Sequence, residues 1–208
     1  MENINVKFII NIGRQVGSGG IEIGKMLADR FHIAFYDKSL LELAAKETGL
    51  DSKYFEKADE KPTNKFLFAL ANNAMNVNYE NFLSRDELFK FQANVIRKIA
   101  SEKSCVILGR TSDYILRDFE NCFNFFIHAP MEKRVEAVMK QENMSENNAS
   151  HMITKVDKKR ANYYNYYTNK IWGNAASYHL SVDSSVLGWE GTADILKTFI
   201  ESKLLITK

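Results

Sequence analysis

Four glycines and a serine fall within eight residues near the start of the chain, in the segment Gly13-Arg14-Gln15-Val16-Gly17-Ser18-Gly19-Gly20. An apolar run, residues 6–12, precedes this segment, and an amphipathic run, residues 21–31, follows it. A strand, a glycine-rich loop and a helix in this order turn backbone N–H groups toward an anion, and the first turn of the helix adds partial positive charge. We therefore predict a phosphate-binding loop with contacts from Gly13, Gln15, Gly17, Ser18, Gly19 and Gly20.

The loop lacks the two side chains that complete a Walker A motif. That motif ends in Gly-Lys-Ser/Thr, where the lysine reaches the β- and γ-phosphates and the hydroxyl binds Mg²⁺. When Gly17 and Gly19 are placed on its glycines, Gly20 stands at the lysine position and Ile21 at the hydroxyl position. The backbone part of a phosphate site is present without its charged part. The alternative is a glycine-rich turn that binds nothing.

Two further groups of residues carry positive charge that could face the loop. Arg110 follows an apolar run and a glycine, so we expect it to point into the crevice at the carboxyl ends of parallel strands. Residues 151–172 contain five lysines and arginines against one acid. On a helix, Asp157 and Arg160 share a face, and the carboxylate could hold the guanidinium for an incoming phosphate. A solvated helix face, or lysines and tyrosines that bind single-stranded nucleic acid, are the alternatives.

Composition places the chain among ordinary globular proteins. Of its 208 residues, 45% are hydrophobic and 26% are charged, and the net charge of +2 indicates neither a nucleic-acid nor a membrane partner. Its two cysteines lie in apolar runs, which favours the reducing cytoplasm over a disulfide scaffold. The first residues contain no apolar signal core. We expect a cytoplasmic protein, and the spacing of histidines and cysteines predicts no metal site.

Apolar runs alternate with helical patterns along the chain, which predicts βαβ units and a parallel sheet. We predict strands near residues 6–12, 33–36, 105–108, 122–127 and 177–182. We predict helices over 21–31, 38–49 and 84–102, another at 114–116, a helical stretch from 130 that is interrupted at 143–148 and resumes over 149–168, and a closing helix over 193–200. The segment 51–81 has a different composition and predicts a helical insertion. The resulting class is α/β.

Five blocks of sequence, in one order along nearly the whole chain, resemble the cytidylate kinase-like family of P-loop proteins. The blocks are Ile12-Gly13-Arg14-Gln15 with Gly17-Ser18-Gly19-Gly20, Phe35-Tyr36-Asp37-Lys38, Val106-Ile107-Leu108-Gly109-Arg110 with Asp113-Tyr114-Ile115-Leu116, Asp157-Lys158-Lys159-Arg160 with Tyr163-Tyr164-Asn165, and Val182-Asp183-Ser184.

The resemblance implies one P-loop kinase domain with a five-stranded parallel sheet. Its core would be residues 1–37, 84–130 and 173–208, with a helical monophosphate-binding insertion over 38–83 and a lid over 131–172. It also implies transfer of the ATP γ-phosphoryl group to CMP or dCMP with Mg²⁺. The partners would be nucleotides and not nucleic acid or membrane.

Residue roles follow from the resemblance by position. Asp37, Arg110 and Asp113 would bind the acceptor, and Arg160, oriented by Asp157, would be the lid cation. Asp183 and Ser184 would border the adenine.

Three departures from true cytidylate kinases affect the chemistry. Gly20 and Ile21 replace the loop lysine and hydroxyl, and Leu108 replaces an acid before the Gly-Arg pair. Our hypothesis is that Arg14, or Arg110 and Arg160 across the crevice, supply the missing charge, since phosphoryl transfer depends on positioning and charge stabilisation. The rival is a regulatory nucleotide-binding protein without transfer activity.

Overall fold

The computed structural model describes residues 6–37 and 85–206. The predicted helix over 38–49 and the predicted insertion over 38–83 lie outside the described residues. The chain forms two compact units, one made of Met1–Phe35 with Ser104–Lys208 and the other of Tyr36–Lys103. The division of a single domain into core, insertion and lid stays a prediction.

Five strands and six α-helices make up the described part of the chain. In chain order they are β1 (Ile9–Arg14), α1 (Gly20–Phe31), β2 (Ala34–Tyr36), α2 (Arg85–Glu102), β3 (Cys105–Leu108), α3 (Ser112–Ile115), β4 (Cys122–His128), α4 (Met131–Glu142), α5 (Glu146–Thr168), β5 (Leu180–Asp183) and α6 (Ser184–Ile206), with a 3₁₀ turn at Ala175–Ser177 before β5.

The strands form one sheet in the order β2-β3-β1-β4-β5. β1 pairs in parallel with β3 on one side and with β4 on the other, and β4 pairs in parallel with β5. Ile12 lies opposite Leu108 and Phe125, so the carboxyl ends of the central strands meet at one edge, where open α/β sheets bind ligands. The predicted α/β class and five-stranded parallel sheet are confirmed.

The central strands are buried on both faces, which explains why their sequences are continuous apolar runs. On one face α1 and α6 cover the sheet and contribute fully buried Leu27 and Leu196 to the main core. α4 and α5 share a smaller apolar cluster around Val135, Val138 and Ile153. α4 and α5 are therefore joined to each other by an apolar cluster of their own.

Some element boundaries differ from those predicted. β1 runs through Gly13 and Arg14, which pair with Phe126 and Ile127 of β4, so the strand takes the first two residues of the predicted loop. α5 begins at Glu146, three residues before the predicted start, and β5 follows the 3₁₀ turn. Within residues 6–37 and 85–206, every helix is too short or too polar to cross a membrane.

Candidate functional site

The glycine loop lies between the end of β1 and the start of α1. Gly17 (φ 77°) and Gly19 (φ 76°) adopt the left-handed conformation that favours glycine, and Gly19 is the N-cap of α1. The Gln15 N–H donates to the carbonyl oxygen of Ile127 (3.0 Å), and the buried Ser18 hydroxyl contacts the carbonyl oxygens of Gln15 (2.9 Å) and Ile127 (3.1 Å). Ser18 therefore holds the loop on β4.

Several loop amides remain available to an anion. The hydrogen bonds of the described residues include none donated by the backbone N–H groups of Gly17, Gly19 or Gly20. These amides stand at the start of α1, where the helix dipole is positive. The Val16 N–H, by contrast, already donates to the Asp157 carboxylate (2.9 Å). The N–H groups of these three glycines are therefore the candidates for contact with an anion.

The missing side chain at position 20 has a structural explanation. A Cβ on Gly20 would lie 2.5 Å from Cβ and 2.9 Å from Cγ of Arg14, closer than real carbon atoms approach. The Arg14 guanidinium extends to Gly109, directly after β3, where its Nη1 lies in the space into which a Cβ on that glycine would project. The stem of Arg14 thus fills the space in which a lysine at position 20 would begin.

Helix α5 contacts the loop through charged groups. Asp157 accepts the Val16 N–H through Oδ1 (2.9 Å) and Nη1 of Arg134 through Oδ2 (2.7 Å). Nη1 of Arg160 donates to the carbonyl oxygen of Arg14 (3.0 Å) and lies 3.7 Å from Oδ1 of Asp157. Burial lowers the pKa of the Arg160 guanidinium, and the charge of Asp157 opposes this shift. Arg134, and not Arg160, is the closer partner of Asp157.

Arg134 on α4 is a residue that the sequence reasoning missed. Its side chain is only 10% exposed, and its Nε donates to the carbonyl oxygen of Ala129 at the end of β4 (3.0 Å). A Cβ on Gly17 would lie 2.6 Å from the Arg134 carbonyl oxygen, so α4 packs directly on the loop. Its burial could have been predicted from the sequence, because Arg134 lies four residues before Val138 and therefore on the apolar face of α4.

The turn after β3 has an unusual backbone. Gly109, Arg110 and Thr111 have φ values of 70°, 59° and 53°, and such conformations in non-glycine residues concentrate at functional sites. Burial raises the pKa of Tyr163 on α5 to about 12, and the positive charge of Arg110 acts in the opposite direction. The structure thus brings Arg110 near α5, while its role as an acceptor ligand stays a prediction.

Asp113 lies in a cluster with two tyrosines. The Tyr164 hydroxyl donates to Oδ2 of Asp113 (2.7 Å), and the Tyr164 and Tyr178 rings lie 6.4 Å apart. Burial raises the pKa of the Asp113 carboxyl against the effect of the Tyr164 hydrogen bond, and raises the pKa of Tyr178 to about 12. Asp113 therefore connects α3 to α5, and its contact with a substrate stays a prediction.

The residues predicted to border the adenine have clear structural contacts. The Ser184 hydroxyl donates to the carbonyl oxygen of Ser18 (2.7 Å), so Ser184 supports the loop. Oδ1 of Asp183 accepts the N–H (2.9 Å) and the hydroxyl (2.7 Å) of Ser185, and the latter bond lowers the pKa of Asp183. Asp37 directly follows β2 and belongs to the second compact unit. Ligand contacts by these three residues stay predictions.

A magnesium site cannot be built from the described side chains alone. In the two described ranges, no group of three or more His, Cys, Asp or Glu residues could hold a metal ion. Ile21 supplies no hydroxyl, and Asp157, which contacts the loop, is engaged by Val16 and Arg134. Mg²⁺ in kinases is bound through one or two carboxylates together with substrate phosphates, so an ion at this loop would depend on a bound nucleotide.

Comparison with known proteins gives a family and a fold. The profile of the cytidylate kinase-like family matches residues 9–186. A solved structure of an uncharacterized protein from Eubacterium ventriosum is 28% identical, with a TM-score of 0.72 over 94% of this chain and 99% of that one. No curated protein matches the sequence.

Two shikimate kinases share the fold at 14% identity. The enzyme from Bacteroides thetaiotaomicron has a TM-score of 0.55 over 94% of this chain and 99% of its own. The enzyme from Acinetobacter baumannii, solved in complex with shikimate, has a TM-score of 0.52 over 96% of this chain and 95% of its own.

Proposed function

Because the chain belongs to the cytidylate kinase-like family and has the fold of P-loop kinases, we propose that it transfers the γ-phosphoryl group of ATP to CMP, dCMP or a related small acceptor. The family and the fold support a kinase-like protein that acts on a nucleotide or another small molecule. The acceptor, the use of ATP and the assignment of residues are our proposal.

One observation carries the proposal: Arg14 occupies the space of the missing lysine side chain. Its stem lies against Gly20, and its guanidinium reaches the turn after β3 at Gly109. Phosphoryl transfer is catalysed mainly by positioning and by charge that stabilises the transferring group, so an arginine that reaches the phosphates from β1 can take over the role of lysine. A loop without lysine is then compatible with catalysis.

The lid supplies the second cation of the proposed site. Arg160 on α5 donates to the carbonyl oxygen of Arg14, so its guanidinium already lies at the loop. In the proposed mechanism the amides of Gly17 and Gly19 bind the triphosphate, and Arg14 and Arg160 stabilise the charge on the transferring group. Arg110 and Asp113, on the turn and helix after β3, orient the acceptor.

Turnover of ATP with a panel of nucleoside monophosphates and shikimate-like hydroxy acids tests this proposal. We expect ADP formation that requires an acceptor, and Arg14→Ala and Arg160→Ala should each lower kcat by about a hundredfold or more. Arg117→Ala is the matched control, because this arginine is 49% exposed and stacks on the ring of Tyr114. If Arg14→Ala and Arg160→Ala both retain the wild-type rate, the assignment is wrong.

A second candidate is nucleotide binding without transfer. It is favoured by the Asp157 carboxylate, which already accepts the Val16 N–H and places negative charge beside the loop. Both candidates predict that ATP raises the melting temperature. Only the kinase predicts ADP formation that depends on the acceptor, so this single readout separates them.

A further inference from the structure

A half-exposed tryptophan, Trp189, lies against the glycine loop and has no part in the site described above. The residue is 42% exposed. Atoms of the five-membered ring of its indole occupy the space into which a Cβ on Gly19 would project. The match to the family ends at residue 186, so Trp189 lies outside the segment that defines the family. Its position requires an explanation from this chain alone.

The backbone before Trp189 is built to present it. Gly188 (φ 68°, ψ −179°) interrupts α6 with a non-helical conformation. No atom lies within 4 Å of a Cβ built on Gly188, so it is the positive φ, and not lack of space, that favours glycine there. The interruption redirects the chain between Leu187 and Trp189, so the indole is oriented independently of the first turn of α6.

The helix that carries the indole packs on α1 through the main apolar core, and exposed ion pairs add to this contact. Arg30, in the last turn of α1, contacts Glu190 (2.5 Å) and Asp194 (3.0 Å) of α6. Helix α1 begins at the glycine loop, and Trp189 lies on α6. The packed pair α1 and α6 therefore positions both the loop amides and the indole. The chain thus holds a flat aromatic ring beside the amides that we expect to bind phosphate.

We propose that Trp189 is the stacking platform for the nucleobase of a purine nucleoside triphosphate whose phosphates bind the glycine loop. The inference rests on the nucleotide-binding part of the proposed function. Such a ligand is charged at one end and flat and apolar at the other. The structure offers the complementary pair: glycine amides, and beside them the indole with the exposed apolar residues Val186 (73%) and Leu187 (53%). Aromatic rings bind bases through stacking, and a purine offers the larger ring surface.

Calorimetry with ATP and with inorganic tripolyphosphate separates base binding from phosphate binding. For the wild-type protein we expect ATP to bind about tenfold or more tightly than tripolyphosphate. Trp189→Ala should reduce this ratio to about one while leaving the dissociation constant of tripolyphosphate unchanged, because the loop amides remain. Ile195→Ala, at another α6 residue with the same 42% exposure, should keep the wild-type ratio.

Fluorescence provides a second readout, which reports contact of the ligand with the indole and not a ratio of dissociation constants. The chain has two tryptophans, and Trp172 packs edge-on against Phe126 with ring centroids 5.2 Å apart. In a Trp172→Phe variant Trp189 is the remaining fluorophore. We expect ATP to quench its emission and tripolyphosphate to leave it nearly unchanged.

Three results would overturn the inference. An unchanged ratio in Trp189→Ala means that the indole does not carry the base. Tighter binding of tripolyphosphate by that variant means that the indole covers the loop instead. If the wild-type protein binds neither compound, the inference and the proposed function fail together. ATP binding with the expected ratio but no acceptor-dependent ADP would overturn only the proposed transfer.

Discussion

The middle of helix α5 and its C-terminal part contact other elements of the first compact unit by different means. The middle meets the glycine loop and α4 through ions, with Asp157 bound to Arg134 and to the Val16 amide. The C-terminal part meets α3 through the hydroxyl of Tyr164, which donates to Asp113. One helix is therefore joined to the phosphate loop by paired charges and to the neighbouring helix by a hydrogen bond to a buried acid.

The difference shows how a single helix can present charged groups at the glycine loop and still be firmly attached to the rest of the unit. Buried ions depend on each other, because removal of one leaves the other without a partner in a poorly solvated place. The tyrosine contact adds no net charge of its own, and its strength depends on whether Asp113 is protonated. We expect the free energy of unfolding to depend strongly on mutation at the Asp157 ion pair and to depend on pH at the contact between Tyr164 and Asp113.

The largest effect should come from Asp157→Ala. Arg134 (10% exposed) and Asp157 (14% exposed) form a buried pair, so the variant leaves Arg134 uncompensated and should lower the free energy of unfolding by about 3–5 kcal/mol. Urea denaturation measures the loss. Glu136→Ala, which breaks the exposed pair with Lys133, is the control and should cost less than about 1 kcal/mol. Equal losses in the two variants would refute the contrast.

A smaller effect is expected for Tyr164→Phe. The change removes the hydroxyl that donates to Asp113 and leaves the buried carboxylate short of a partner, at a cost of about 1–3 kcal/mol. Tyr166→Phe is the matched control, since Tyr166 is 68% exposed on the same helix and should change stability by less than about 0.5 kcal/mol. Denaturation of both variants side by side tests this, and no loss in Tyr164→Phe would count against the cluster.

The pH dependence of Asp113 should be the most modest of the three. Burial raises its pKa in the folded state, so its contribution to stability is complete below the pKa of the unfolded chain and is lost as the pH rises through the folded pKa. Asparagine at this position does not titrate. The unfolding free energy of Asp113→Asn relative to wild type should therefore increase from about pH 3 to about pH 7. A difference that stays constant or decreases would contradict the assignment.

Much of the sheet could be predicted from local sequence. Residues 105–108 form a continuous apolar run bounded by polar residues and glycine, and they form β3 with those bounds. The glycine cluster likewise marked the start of α1, since left-handed φ at Gly17 and Gly19 is what a strand-to-helix loop requires. Both signals are contained within a few neighbouring residues.

The parts that escaped prediction depend on contacts between distant residues. β1 extends through Arg14 because of its pairing with Ile127, which no local pattern reveals. Arg134 sits among charged neighbours on α4 and resembles a surface residue until Asp157, on the next helix, is brought to it. Trp189 gains its position from the interruption at Gly188 and from the packing of α6 on α1, to which ion pairs add. Sequence spacing identified the loop but not what surrounds it.

The central claim, that Arg14 takes the place of the loop lysine, is tested most directly by moving the cation. Acceptor-dependent ADP formation should fall about a hundredfold or more in Arg14→Gly. Gly20→Lys alone should not raise the rate, because the new side chain overlaps the stem of Arg14. The double variant, Arg14→Gly with Gly20→Lys, should recover at least about tenfold over Arg14→Gly. A wild-type rate in Arg14→Gly, or no recovery in the double variant, would contradict the claim.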